Sequence, residues 1–188
     1  MGFEQRADAE RFLQEWRDRL RKFGWELHPD KTRLIEFGRH AAANRKQRGE
    51  DKPEVFDFLG FTHFCGRTRK TGRYIVKRKT IQKRLRTKLK ELKEELRRRG
   101  HEPVAEVGKW LRSVVQGYFN YHAVPGNLDS LNGFRSEVIW RWYRALRRRS
   151  QRSRMTWARF RPLVARWIPS LTVLHPHPNL RFDARYPR

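Results

Sequence analysis

A run of regularly spaced aliphatic side chains between residues 81 and 96 constrains the fold most. Its members are Ile81, Leu85, Leu89, Leu92 and Leu96, at spacings of 4, 4, 3 and 4. This pattern places them on one face of an α-helix. A helix with one apolar face is stabilised mainly by packing that face against other elements. The sequence therefore predicts a helical bundle that starts near residue 77.

Two more amphipathic segments follow at short distances. Gly100 ends the first helix, Pro103 begins the second, and a VPGN turn at 124–127 precedes the third. The expected inward-facing residues are Val104, Val107, Leu111, Val114 and Tyr118 in the second helix, then Leu128, Leu131, Val138, Trp142 and Leu146 in the third. Three such helices with short connections predict a small three-helix bundle.

The sequence before the bundle predicts a smaller region that contains both helix and strand. Residues 7–22 have a helical period, whereas residues 25–27 and 33–37 resemble strands around a His-Pro-Asp-Lys turn. Residues 38–54 are polar and contain glycine, which indicates a loop.

An aromatic segment and a less regular end complete the pattern. Residues 56–66 predict a strand bent at Gly60, and residues 73–79 return as another strand after a turn. Residues 156–168 predict a helix that Pro162 kinks or splits, and the Pro-rich tail reads as extended. The predicted fold class is α+β: a small helix-plus-antiparallel-strand part, the bundle and an irregular tail.

The net charge of the chain indicates which classes of partner it binds. It has 45 Lys and Arg against 20 Asp and Glu, a net charge of +25. Such a chain repels itself unless a polyanion neutralises it. Nucleic acid is favoured over an anionic membrane surface because 12 Phe, 7 Trp and 5 Tyr offer rings for base stacking.

The single Cys65 excludes an internal disulfide and a Cys-rich zinc site. With no secretory signal and no membrane-spanning run, we expect a cytoplasmic protein without a membrane partner.

The basic residues are segregated around the predicted helices. Lys83, Arg86, Lys90, Lys93 and Arg97 form a stripe beside the leucines, and Arg141, Arg144 and Arg148 form a second one. Trp140 and Tyr143 are predicted to project away from the apolar face, next to the arginines of the second stripe. A solvated helix face explains one such stripe, but two of them with aromatic neighbours favour nucleic-acid binding. The predicted binding residues are Lys83, Arg86, Lys90, Lys93, Arg97, Trp140, Arg141, Arg144, Arg147, Arg148, Arg149 and Arg152.

Several motifs in the same order resemble a known family. The segments are HPDKT at 28–32, FLGF at 58–61, GYFNYHAVPGN at 117–127, the later arginine cluster, and HPHPNLRF at 175–182. Together they resemble the C-terminal part of group II intron-encoded reverse transcriptases, or maturases, over nearly the whole chain.

The resemblance implies a role for each part. Residues 1–76 correspond to the end of a polymerase palm, 77–150 to the thumb or maturase-specific domain, and 151–188 to a basic region that contacts DNA. Lys31 matches a lysine near the incoming nucleotide. Phe58, Leu59, Gly60 and Phe61 match the primer grip. The implied partners are group II intron RNA, template-primer duplex or target DNA, and an upstream polymerase fragment.

One departure from the family decides the expected chemistry. The Tyr-Ala-Asp-Asp signature lies just upstream in the family, and no Asp-Asp pair occurs in this sequence. Polymerases use such carboxylates to hold two divalent ions. We therefore expect no catalytic residue, cofactor or metal in this chain alone, although the complete family enzyme uses Mg²⁺. Lys31 is then a relic of the nucleotide site or merely a surface charge. Simple packing is favoured over a shared metal for His175 and His177.

Three hypotheses remain open from the sequence. The first is an RNA-binding maturase fragment that assists intron folding and splicing. The second is the C-terminal half of a split RNA-directed DNA polymerase. The third is a truncated remnant with generic nucleic-acid binding.

Overall fold

A computed structural model describes residues 1–149 and 155–176. It confirms the α+β class. The elements in chain order are α1 (Arg6–Arg21), α2 (Ala41–Gln47), β1 (Phe56–Phe58), β2 (Phe61–Arg67), β3 (Tyr74–Thr80), α3 (Gln82–Arg98), a 3-10 turn (Arg99–His101), α4 (Val104–His122), α5 (Leu128–Arg148) and α6 (Trp157–Trp167). The chain divides into two compact units, Met1–Glu54 and Val55–Arg188. The predicted domain boundaries after residues 76 and 150 remain predictions.

The first unit contains α1 and α2 and has little buried core. Ala9 and Ala41 are its buried apolar residues. On α1, the Phe12 ring lies 5.2 Å from Phe3 and 5.8 Å from Trp16, centroid to centroid. Small buried side chains contribute little hydrophobic free energy, so this unit depends on local helix contacts more than on packing.

Two expectations for the first unit were wrong. Residues 25–27 and 33–37 are not strands. A short apolar run becomes a strand only where a neighbouring strand supplies the ladder of hydrogen bonds. The segment 38–54 is not wholly loop, because Ala41–Gln47 forms α2. Three successive alanines, the best helix formers, favour that turn of helix.

The second unit begins with a three-stranded antiparallel sheet in the order β1-β2-β3. Phe58 pairs with Phe61 across the first hairpin, and Arg67 pairs with Tyr74 across the second. The predicted bend at Gly60 is therefore a complete two-residue hairpin turn. The predicted strand at 73–79 is confirmed as Tyr74–Thr80.

The helices α3 to α6 enclose the main core. Its fully buried large side chains include Trp142 and Phe160, whose rings meet edge to face at 5.3 Å. The helical prediction for all three bundle helices is confirmed, and α6 adds a further packed helix. Pro162 lies inside α6 without splitting it. Burial of Phe160 and Trp167 anchors the helix on both sides of the proline.

Most residues that were predicted to face the core do so, but a few of them lie at its edge or outside it. In the second half of α4 the buried positions are Val115 and Phe119, whereas the predicted Val114 and Tyr118 are partly buried beside them. Both pairs lie on one broad apolar face, so the spacing alone does not rank them. Leu128 was wrongly assigned to the core, because it lies in the first turn of α5 and is 39% exposed.

A buried polar contact joins the sheet to the helices. Asn127 accepts a 2.9 Å hydrogen bond from the Thr80 backbone N–H and donates one of 2.8 Å to the Thr80 hydroxyl. It also donates to the His122 carbonyl oxygen at 2.9 Å. These bonds fix the end of β3 against the turn between α4 and α5.

Among the helices of residues 1–149 and 155–176, none is both long and apolar enough to cross a membrane.

Candidate nucleic-acid interface

A groove of about 650 Å³ lies between the C-terminal half of α3 and α5. It exists because the leucine face of α3 packs on α5 and leaves the adjacent basic faces open on one side. The lining residues are Lys93, Leu96, Arg97, Gly100, His101, Glu137, Trp140, Arg141, Arg144, Ala145, Arg148 and Arg149. Residues of both predicted stripes therefore meet in one concave surface.

The groove is strongly cationic. Six Lys and Arg side chains line it against one carboxylate, that of Glu137. Arg141 pairs with that carboxylate one turn away along α5. Lys93, Arg97 and Arg144 are exposed. A concave surface with this excess of one sign focuses its field on an approaching anion.

Arg149 shapes the groove instead of facing a ligand freely. Its guanidinium donates to the Glu102 carbonyl oxygen at 2.7 Å and to the Arg99 carbonyl oxygen at 3.4 Å. These bonds hold the short turn after α3 against the end of α5. Arg149 was predicted to bind nucleic acid. It also has a structural role, which the sequence pattern did not indicate.

The other predicted cations lie outside the groove lining. Lys83, Arg86 and Lys90 are exposed on the earlier turns of α3 and extend the basic surface along that helix. Arg147 lies 5.8 Å from the centroid of the Tyr143 ring. Arg152 falls outside the described residues.

An aromatic cluster borders the groove at Trp140. Trp140 stacks on Trp157 of α6 at 5.5 Å and 26°, and it is 51% exposed. Arg144 lies 5.8 Å from the centroid of its ring. Tyr143 is half-buried against the core, not projecting as predicted. No single stretch of sequence indicates the partnership with Trp157, because α5 and α6 meet only in the folded chain.

No protein-family model, curated protein or solved structure matches this chain. The link to group II intron maturases therefore stands on the sequence motifs alone.

The predicted primer-grip residues form the tip of the β1–β2 hairpin. Leu59 and Gly60 have φ angles of 45° and 82°, the positive pair that a tight hairpin turn requires. A leucine there costs about 1–2 kcal/mol, and this one is 67% exposed. The Tyr121 hydroxyl supports the turn by donating to the Leu59 carbonyl oxygen at 2.8 Å. The primer-grip role itself remains a prediction.

The hairpin rests on a row of rings. Phe61 is buried and stacks on Tyr121 at 5.9 Å. His122 lies 5.5 Å from Phe61 and 4.1 Å from Tyr118. Burial lowers the pKa of His122, and nearby Arg84 acts in the same direction. Burial also raises the pKa of Tyr118 to about 12. Both side chains are therefore held neutral near pH 7.

The remaining candidate residues have local explanations. Lys31 is exposed in its turn, where its backbone N–H donates to the His28 carbonyl oxygen at 3.2 Å. The His175 ring is 2.8 Å from the Asn120 carbonyl oxygen, which agrees with packing. His177 lies outside the described residues. Within residues 1–149 and 155–176, no group of three or more His, Cys, Asp or Glu is placed to hold a metal ion.

Proposed function

We propose that this chain is an RNA-binding protein that holds structured group II intron RNA in the α3–α5 groove and assists the folding and splicing of that RNA. The observation that carries the proposal is the convergence of six cations and a half-exposed indole on one groove with a single carboxylate. The choice of intron RNA among polyanions comes from the motif resemblance.

The proposed contribution to splicing is electrostatic. Folding of a large RNA brings phosphates close together, and cations fixed on a protein surface lower their mutual repulsion. Arginine suits this task because its planar guanidinium forms paired hydrogen bonds with phosphate oxygens. The intron RNA itself carries out bond breakage and joining. Without the Asp-Asp pair, we expect no DNA synthesis by this chain alone, and Mg²⁺ chemistry belongs to the complete family enzyme.

A second candidate, half of a split polymerase, is favoured by the apolar surface of the first unit. Phe23 and Trp25 there are 70% and 69% exposed. Large exposed apolar side chains close in sequence suit a protein contact. Co-expression with an upstream polypeptide ending in Tyr-Ala-Asp-Asp tests this candidate. Stable co-purification with DNA synthesis on an RNA template would favour it, and absence of both would refute it.

The proposed function is tested by comparing a folded group II intron RNA with an unrelated structured RNA of equal length. Binding of each is measured by filter retention across a salt series. We expect the intron RNA to bind at least tenfold more tightly at about 150 mM salt, a difference of about 1.4 kcal/mol. Equal binding that is lost for both as salt rises would reduce the groove to a generic polyanion site.

A further inference from the structure

A series of stacked rings runs from the core to the surface beside the groove. It begins at Phe160, which is fully buried, and continues to Trp157 at 5.3 Å and 15°. Trp157 in turn stacks on Trp140 at 5.5 Å and 26°. Exposure rises along the series to 40% at Trp157 and 51% at Trp140. At this outer end the Arg144 guanidinium lies 5.8 Å from the centroid of the half-exposed Trp140 ring.

The rings are held in place by their surroundings. Tyr143 meets Trp157 edge to face at 4.6 Å, and its hydroxyl donates to the Met155 carbonyl oxygen at 3.3 Å. Phe160 also contacts buried Trp142. A ring fixed by its neighbours loses little conformational entropy when a ligand stacks on it.

The charges around the series select the occupant. Trp140 lines the groove together with Arg141 and Arg144, and α6 contains basic but no acidic side chains. The nearby acid, Glu137, is paired with Arg141. A planar group attached to anions fits this setting, and a nucleotide is such a group.

We propose that an unpaired RNA base stacks on Trp140 as the outermost ring of the Phe160–Trp157–Trp140 series, with its flanking phosphates at the arginines of the groove. Bases inside a duplex have their faces covered by their neighbours, whereas bulged and loop bases can stack on protein rings. This inference rests on the proposed function and specifies which RNA element the groove selects. The protein would prefer RNA with an unpaired nucleotide over a continuous duplex.

The test uses two short RNA hairpins, each closed by a non-nucleotide linker so that neither has loop bases, whose numbers of phosphates differ by only one. One has a continuous stem, and the other has a single bulged 2-aminopurine in place of a pair. Binding is followed by anisotropy of an end label, and stacking by quenching of 2-aminopurine emission. The variants are Trp140→Ala and the conservative Trp140→Phe. Trp25→Ala is the control for loss of an exposed indole elsewhere.

We expect the wild-type protein to bind the bulged hairpin about tenfold more tightly and to quench its 2-aminopurine. Trp140→Ala should lose both the preference and the quenching, while its affinity for the continuous hairpin changes less than about twofold. Trp140→Phe should keep part of the preference, and Trp25→Ala should behave as wild type. The quenching of the wild-type complex is a readout that does not depend on any variant folding.

Four results would overturn the inference. Tight binding of both hairpins without preference or quenching would remove it while leaving RNA binding intact. A preference that survives in Trp140→Ala would place the unpaired base elsewhere. Binding to anionic phosphatidylserine vesicles that Trp140→Ala abolishes, with the RNA preference unchanged, would assign the rings to a lipid surface. Failure of the wild type to bind either hairpin would refute the proposed function together with the inference.

Discussion

Helix α4 contains two glycines whose replacement by alanine should have opposite effects on stability. A Cβ atom on Gly108 would lie 2.6 Å from Cγ and Cδ1 of Trp167 and 2.8 Å from its Cδ2. Gly108 is buried and Trp167 is only 9% exposed, so neither the helix nor the ring has room to move. Gly117 is exposed, and a Cβ there meets nothing within 4 Å.

The magnitudes follow from two terms. Alanine in a helix interior is favoured over glycine by about 0.5–1 kcal/mol, which is the whole effect expected at Gly117. At Gly108 the same gain is outweighed by overpacking of about 1–3 kcal/mol. With contacts this short, the upper part of that range applies, and the net loss is about 1–2 kcal/mol. The two variants should therefore differ by about 2–3 kcal/mol.

Thermal unfolding followed by circular dichroism measures this difference. For a chain of this size, 1 kcal/mol shifts Tm by about 2–4 °C. Gly108→Ala should melt about 2–8 °C below wild type, and Gly117→Ala about 1–4 °C above it. Urea titrations with unchanged slopes would show that the shifts reflect the native state. Equal stability of the two variants would refute the packing of α6 on α4 at this glycine.

Three further outcomes are expected. Asn127→Ala should destabilise the protein by at least about 2 kcal/mol in urea titration, because it leaves the buried Thr80 N–H and the His122 carbonyl without their partner; a change below about 0.5 kcal/mol would contradict the assigned bonds. Burial lowers the pKa of His122 in the folded state, so the unfolded chain takes up this proton first as pH falls. The free energy of unfolding is therefore highest above the ordinary pKa of histidine and decreases as pH falls towards the lowered pKa of the folded state. Wild type should therefore lose more stability than His122→Phe between about pH 7.5 and pH 5.5, and equal losses would argue against a buried neutral ring. In hydrogen exchange, amides of residues 1–54 should exchange before those of α4, because Ala9 and Ala41 are the buried apolar residues of the first unit; equal protection would contradict this.

Local periodicity predicted the helices well because each carries its apolar face within its own sequence. The leucines of α3 and the cations beside them occupy the two faces that their spacing indicated. The groove required more than local pattern. Lys93 and Arg144 are 51 residues apart (144 − 93) and share one concave surface only because α3 packs on α5. Sequence reasoning found both stripes but could not show where they meet.

The misses have physical causes of the same kind. Asn127 stands just before α5 in a position typical of a helix cap, yet its side chain bonds to Thr80 instead of the first turn of the helix. Trp157 lies on a helix whose partner is distant in sequence, so its stack on Trp140 was not predictable. The false strands at 25–27 and 33–37 show the limit of apolar runs as strand signals. Strand formation depends on a neighbour that the run itself does not specify.

The most direct test of the groove is the salt dependence of RNA binding by two variants that lose equal charge. One replaces Lys93, Arg97, Arg144 and Arg148 of the groove by glutamine; the other replaces Arg67, Arg69, Lys70 and Arg73 near the β2–β3 turn, all of them exposed. Each change lowers the net charge by four, from +25 to +21. If the groove holds the phosphates, the slope of log K against log salt should flatten by about 3–4 in the first variant and by less than about 1 in the second. Equal flattening in both would mean that binding depends on total charge and not on the groove.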